Sequence, residues 1–142
     1  MTVTSEATAP AAGPSVDEVA AVRATVLDYF EGWFDGDVAR MERALHPLLA
    51  KRSRGQDAQA LPVLQTTTTE QMLWFTREGN GRTTDPARRQ MEVRIVEVSG
   101  GIATAIVHSY MYVEYIHLVA TPDGWRIVNC LWRYADGRNP FA

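Results

Sequence analysis

The 142 residues, 46% of them hydrophobic, suit one domain with a sizeable core that needs neither disulfides nor a metal to hold it. The formal net charge is -3 and no Lys/Arg run exceeds two consecutive residues, so the electrostatic footprint of a nucleic-acid binder is missing. A single cysteine, Cys130, excludes an intramolecular disulfide and fits a reducing cytoplasm, and no apolar run approaches the ~18 residues that cross a bilayer.

Residues 1–14 lack both the basic and the apolar region of a secretory signal and read as a disordered tail, with the domain expected over residues 15–142. Ser15-Val16-Asp17-Glu18 is a capping box that opens a first helix. Val19, Val22, Val26, Leu27, Phe30, Trp33 and Phe34 give it an apolar face to about residue 34, where Asp35-Gly36-Asp37 ends it. Asp37 can cap a second, short helix whose face is Met41, Leu45, Leu48 and Leu49, perturbed by Pro47. Residues 51–65 show neither period and begin with three basic residues, which predicts an exposed loop with at most a brief strand or helical turn. Overlapping capping boxes at Thr67 to Glu70 and Thr68 to Gln71 open a third helix over about residues 69–78, carrying Met72, Trp74 and Phe75. Strands then follow over about 89–98 and 102–110, joined by Ser99-Gly100-Gly101.

The stretch 111–134 is the clearest hairpin, with Thr121-Pro122-Asp123-Gly124 as its turn. If Ala120 pairs with Trp125, then Leu118 faces Ile127, Ile116 faces Asn129 and Glu114 faces Leu131 on one side. Val113, Tyr115, His117, Val119, Val128, Cys130 and Trp132 occupy the other, which is too apolar to face water and is expected against a partner subunit. A bulge at Gly124 would exchange the faces of one strand, so the pocket assignment depends on register. Three helices followed by a four-stranded antiparallel meander predict an α+β domain: a curved antiparallel sheet wrapped around the helices, with a pocket where they do not fill it.

The Trp-Phe-Asp-Gly-Asp end of the first helix and Leu45-His46-Pro47-Leu48 before a basic loop carry a resemblance. Gly101-Ile102-Ala103, Tyr112-Val113-Glu114-Tyr115 and Asp123-Gly124-Trp125-Arg126-Ile127-Val128-Asn129 extend it along the strands. Over about residues 15–135 the chain resembles the nuclear transport factor 2-like superfamily, closest to its lumazine-binding branch and related to SnoaL-like cyclases and ketosteroid isomerases. The resemblance implies a cone-shaped, cystatin-like α+β barrel, a homodimer packed through the outer sheet face, and an internal small-molecule pocket. It implies little about the reaction, because the superfamily includes isomerases, dehydratases, cyclases and non-enzymatic domains. Where the resembled strand motif usually carries Asp, this chain has Glu114, whose longer side chain reaches further.

Glu114 and Asn129 share the face assigned to the pocket, and a carboxylate among apolar residues suits proton transfer near neutral pH. The competing reading of Glu114 is a structural ion pair with an arginine such as Arg133. Asn129 can orient a carbonyl or satisfy a bulge, and His46 can act as acid or base or cap loop carbonyls. Tyr29, Trp33, Trp74, Tyr112, Ile116 and Leu131 are the candidate pocket walls, with Tyr112 a possible donor to an oxyanion. His108 and His117 read as structural or interface residues. Cys130 reads as a small buried hydrophobe. No metal-ligand spacing and no phosphate-binding turn occurs, so no metal or cofactor is expected. The reading that follows is a cofactor-independent isomerase, dehydratase or cyclase with Glu114, His46 and Asn129 as its catalytic set. The alternative is a non-catalytic small-ligand-binding or dimeric assembly domain.

Overall fold

The structure, a computed structural model, describes residues 13–56 and 62–135. Residues 1–12 of the expected tail over residues 1–14, the centre of the expected loop at 57–61 and the end of the domain after residue 135 lie outside the described residues.

The described residues form three α-helices, α1 (Val16–Asp35), α2 (Val38–Ala44) and α3 (Thr69–Arg77), with 3-10 turns at Asn80–Thr83 and Pro86–Arg88. The strands are β1 (Leu45–Gln56), β2 (Pro62–Thr67), β3 (Met91–Ser99), β4 (Ile102–Ser109), β5 (Tyr112–Thr121) and β6 (Gly124–Tyr134). They make one curved, unclosed sheet in the order β2-β1-β6-β5-β4-β3. The fold class is the expected α+β one, but the sheet has six strands rather than four and is mixed, because β1 runs parallel to β6.

Local chemistry fixes the helices. The Ser15 side chain accepts from the Glu18 N–H at 3.1 Å, and Gly36, at φ 67°, closes α1 in the left-handed conformation that glycine adopts without strain. Thr68 and Gln71 complete the capping box of α3. Asp28 joins α1 to α2 by ion pairs with Arg40 and Arg43. Burial opposes its charged form, but hydrogen bonds from Arg43 and Arg40 outweigh burial and hold its carboxyl below the usual value.

The expected extension of the second helix to Leu49, and the loop after it, are replaced by β1. Pro47 has no N–H and its ring clashes with a preceding helical turn, and it pushes His46 toward extended backbone. The chain therefore turns to strand at Leu45: Leu45 and Leu49 are buried while Leu48 is 81% exposed. Further along, Lys51 and Ser53 point inward and Arg52 and Arg54 outward, so the basic run is one half of an alternating strand.

The hairpin begins as expected, with Ala120 opposite Trp125 and Leu118 opposite Ile127. His117 is then paired with Asn129, which leaves Val128 as an extra residue on β6. This bulge, at Val128 and not at Gly124, exchanges the two faces of β6 beyond it. Glu114, Ile116, Leu118, Ile127, Cys130 and Trp132 consequently face the helices. Asn129 and Leu131, expected in the pocket, lie on the outer face with Tyr115 and His117, and Leu131 is 50% exposed. Of the residues expected on the partner face, Tyr115 is exposed there, Val128 is half-buried and Val113 is buried, whereas Cys130 and Trp132 belong to the interior. The core joins Val22, Val26 and Phe30 of α1 and Met41 of α2 to Val107, Ile116, Leu118 and Ile127 of the sheet.

Candidate functional site: an aromatic cavity with a buried Lys–Tyr–Glu cluster

The interior is not filled. A cavity of about 180 Å³ remains between α1, α3 and the inner sheet face. Phe30 and Trp33 of α1, Met72 and Phe75 of α3, and Trp132 and Tyr134 of β6 form most of its wall. Its polar groups are Tyr29, Lys51, Tyr112 and Glu114, with Thr67 and Asn80.

Sheet register brings the charged groups together. Lys51 on β1 is directly opposite Cys130 on β6, Cys130 is opposite Ile116 on β5, and Glu114 is the next inward position along β5. Tyr29 reaches them from α1. Its hydroxyl donates to Glu114 Oε1 at 2.9 Å and accepts from Lys51 Nζ. Lys51 Nζ also donates to Glu114 Oε1 at 3.3 Å, and Cys130 Sγ donates to the same oxygen at 3.1 Å. Three donors thus converge on Oε1, while Oε2 makes no hydrogen bond with any described residue. The cluster is buried: Lys51 is 7% and Glu114 3% exposed. The Lys51 ammonium also lies 4.9 Å from the Tyr29 ring centroid and 5.2 Å from that of Trp132, within cation–π range.

The neighbouring acids are held in their protonated, donating forms. Burial, then the Glu114 charge, pushes the Tyr29 phenol and the Cys130 thiol well above their ordinary values. The same causes in the same order raise the Tyr112 phenol to about 12. The indole nitrogens of Trp33 and Trp132 are buried and have no hydrogen-bond partner of ordinary geometry among the described residues, although the Trp33 indole lies near enough to the Tyr112 phenol to moderate its rise. Both residues line the cavity.

Of the residues singled out from sequence, Glu114, Tyr29, Trp33 and Tyr112 come together here. Ile116 is packed in the core beneath them. Trp74 turns away and is 53% exposed, because Met72, Phe75 and Thr76 occupy the inward side of α3. Asn129 is on the outer face, 3.4 Å from His117 Nδ1, as the Val128 bulge requires. His46 does not line this cavity but a separate, more open pocket with Leu45, Thr69 and Arg126. Its Nδ1 accepts the Leu48 N–H at 3.0 Å within β1 and its backbone carbonyl accepts from the Thr69 hydroxyl at 2.7 Å, so the ring caps a strand amide and not the loop carbonyls expected of it. Glu114 has an ion-pair partner, but it is Lys51 and not Arg133. Lys51 is the residue that sequence reasoning missed. Its signal was the alternation in Lys51-Arg52-Ser53-Arg54. Among the described residues no group of histidine, cysteine and carboxylate side chains could hold a metal ion, and no helix is long and apolar enough to cross a membrane.

The profile of a protein family described as "putative lumazine-binding" matches residues 17–133, most of the chain. The chain belongs to that family. This member of the family also shares the fold of the nuclear transport factor 2-like superfamily. An NTF-2 like protein of unknown function from Silicibacter pomeroyi DSS-3 superposes with a TM-score of 0.66 at 19% identity, over 83% of this chain and 96% of that one. One from Shewanella baltica OS155 gives 0.64 at 15% identity, over 85% and 96%. A cystatin-like fold protein from Burkholderia xenovorans LB400 gives 0.54 at 17% identity, over 84% and 93%. These likenesses concern the fold. No curated protein matches this chain in sequence.

Proposed function

We propose that the protein is a cofactor-independent acid/base enzyme, of isomerase, dehydratase or cyclase type, acting on a small hydrophobic carbonyl compound held in the aromatic cavity. The observation that carries this reading is Glu114: a buried cavity carboxylate whose Oε1 is fixed by three donors while Oε2 is left for a ligand. A carboxylate anchored through one oxygen can present the other at hydrogen-bonding distance to a carbon acid, which is the geometric requirement on a general base. Buried N–H groups are normally paired. The protonated Tyr112 phenol is a donor suited to a substrate carbonyl whose oxygen gains charge as the proton leaves, and the buried indole N–H groups of Trp33 and Trp132 become further donors where a ligand displaces the wall around them. An apolar cavity of roughly 150 Å³ accepts benzene. The cavity of about 180 Å³ therefore matches one ring with a carbonyl substituent.

The test is exchange of the α-protons of acetophenone and 1-indanone with D2O, followed by NMR. The wild type should accelerate exchange of at least one ketone, and Glu114→Gln, with an unchanged circular dichroism spectrum, should lose on the order of 100-fold of that acceleration. Exchange no faster than in buffer removes the catalytic reading. A non-catalytic small-ligand-binding domain is the second reading, and the buried Lys51–Glu114 pair favours it because structural ion pairs also occupy pockets. It predicts ketone binding without exchange.

A further inference from the structure

The 14 basic side chains of the sequence are one lysine, Lys51, and thirteen arginines. Among the described residues Lys51 is also the one basic side chain that is buried. Wherever a permanent positive charge meets a carboxylate elsewhere in the fold, the chain uses guanidinium: Arg40 and Arg43 on Asp28, Arg40 on Glu31, Arg89 on Asp35. A guanidinium would serve equally as a counter-ion for Glu114 and would pair with it in bidentate fashion. What it cannot do is give up its proton, whereas an ammonium can become a neutral amine with a nucleophilic lone pair. The single lysine thus stands where a carboxylate and a phenol hydroxyl contact its Nζ and where an aromatic cavity opens beside it.

We propose that Lys51 is an imine-forming residue that captures an aldehyde or ketone in the cavity as a Schiff base. The proposal rests on the cavity being the ligand site, and it names the reactive class of the ligand. The proton balance needs only groups already in contact. Glu114 Oε1 takes a proton from Nζ, either directly across 3.3 Å or through the Tyr29 hydroxyl, which accepts from Nζ and donates to Oε1. The Nζ lone pair forms a C–N bond to the carbonyl carbon as the C=O π pair moves to oxygen. That oxygen takes the proton back from Glu114, giving a neutral carbinolamine once nitrogen has returned its own extra proton to the carboxylate. A second protonation lets the oxygen leave as water while nitrogen forms C=N. One carbonyl compound and one amine give one imine and one water, with no oxidant or reductant. The Tyr29 and Trp132 rings that flank Nζ supply a surface for an aryl group on the captured carbon. A protonated imine withdraws electrons more strongly than a ketone, so it would make the neighbouring C–H easier for Glu114 to ionise.

The experiment is reductive trapping of the full chain with benzaldehyde and cyanoborohydride at neutral pH, read by intact mass and peptide mapping. With one lysine, the N-terminal amine is the only other amine able to form a stable adduct, and mapping separates the two. The expected result is one benzyl group on Lys51, saturating with benzaldehyde, competed by benzyl alcohol and ~10-fold or more faster than on Nα-acetyl-lysine amide, the advantage that a bound and oriented reactant brings. Glu114→Gln should slow trapping, and Lys51→Arg should abolish it at that position while keeping the charge. Adduct at the N-terminus alone, or at Lys51 no faster than on the model amine, overturns the proposal. The wild-type map decides this even where a variant fails to fold. If benzyl alcohol shifts the indole resonances of Trp33 and Trp132 but benzaldehyde is not trapped, the imine is refuted and the cavity remains a ligand site. If neither binds and nothing is trapped, both readings fall.

Discussion

Replacing Lys51 by Met keeps most of the side-chain volume and removes the ammonium from a contact of 3.3 Å between groups whose side chains are 7% and 4% exposed. Glu114 is then left buried with only the Tyr29 hydroxyl and the Cys130 thiol on Oε1. Breaking a buried pair by deleting one partner costs about 3–5 kcal/mol, and because this pair borders a cavity that can admit water, the lower end, about 3 kcal/mol, is expected. Glu114→Gln should cost a similar amount by stranding the ammonium. The double variant presents a neutral amide beside a thioether and should be little worse than either single variant, for a coupling energy of about 2–3 kcal/mol. A domain of this size is stable by about 5–15 kcal/mol, so the variants should remain folded enough to measure. The assay is urea unfolding at pH 7 followed by tryptophan fluorescence for all four members of the cycle. Additivity within ~0.5 kcal/mol would refute the reasoning, since residues that share no interaction add.

Deleting Val128 removes the extra residue and leaves Ile127 opposite Leu118 and Asn129 opposite His117, so Cys130 and Trp132 should stay inward and native-like near-UV circular dichroism with cooperative melting should persist; loss of both would contradict the register. At Gly81 a Cβ would sit 2.2 Å from the Trp33 carbonyl oxygen and 2.6 Å from its Cδ1. Gly81→Ala should therefore lower stability by about 2 kcal/mol or more and displace Trp33 from the cavity wall, checked by thermal melting and the Trp33 indole resonance. Tyr29, Tyr112 and Tyr134 all have phenols raised by burial. A raised phenol gives stability that is complete below the unfolded value of ~10 and lost as pH climbs toward the folded one. The urea midpoint should thus fall from ~pH 10 upward, with the Tyr112 share lost by about 12. A midpoint flat over that range would contradict the burial.

Much of the fold was legible because its causes are local. The Ser15 N-cap, the Thr68 capping box and the apolar period from Val19 to Phe34 specify α1 and α3 with no knowledge of the rest of the chain. The turn Thr121 to Gly124 likewise sets the first pairs of the hairpin, and the inward face of Glu114 follows from them. β1 was not legible, since its main partner is β6, some 80 residues away and parallel, and parallel pairing leaves no turn signal. For that reason Lys51 read as part of a solvated basic loop, and only pairing with β6 turns it toward Glu114. Asn129 and Leu131 were misplaced by one residue: a bulge between two well-formed strand segments exchanges faces without requiring a glycine or proline to mark it. The Val128 backbone is such a case, while the glycine that looked like a bulge, Gly124, forms the turn.

The central claim is that the aromatic cavity, and not the surface around His46, receives the ligand. The four tryptophans report on it from different places: Trp33 and Trp132 line the cavity, Trp74 is exposed on α3, and Trp125 lies at the hairpin turn. Titrating the 15N-labelled protein with acetophenone should shift the indole N–H resonances of Trp33 and Trp132, saturably and toward hydrogen-bonded positions, and leave those of Trp74 and Trp125 in place. Shifts confined to Trp74 or Trp125, or no shift at any indole up to the solubility of the ketone, would contradict the account.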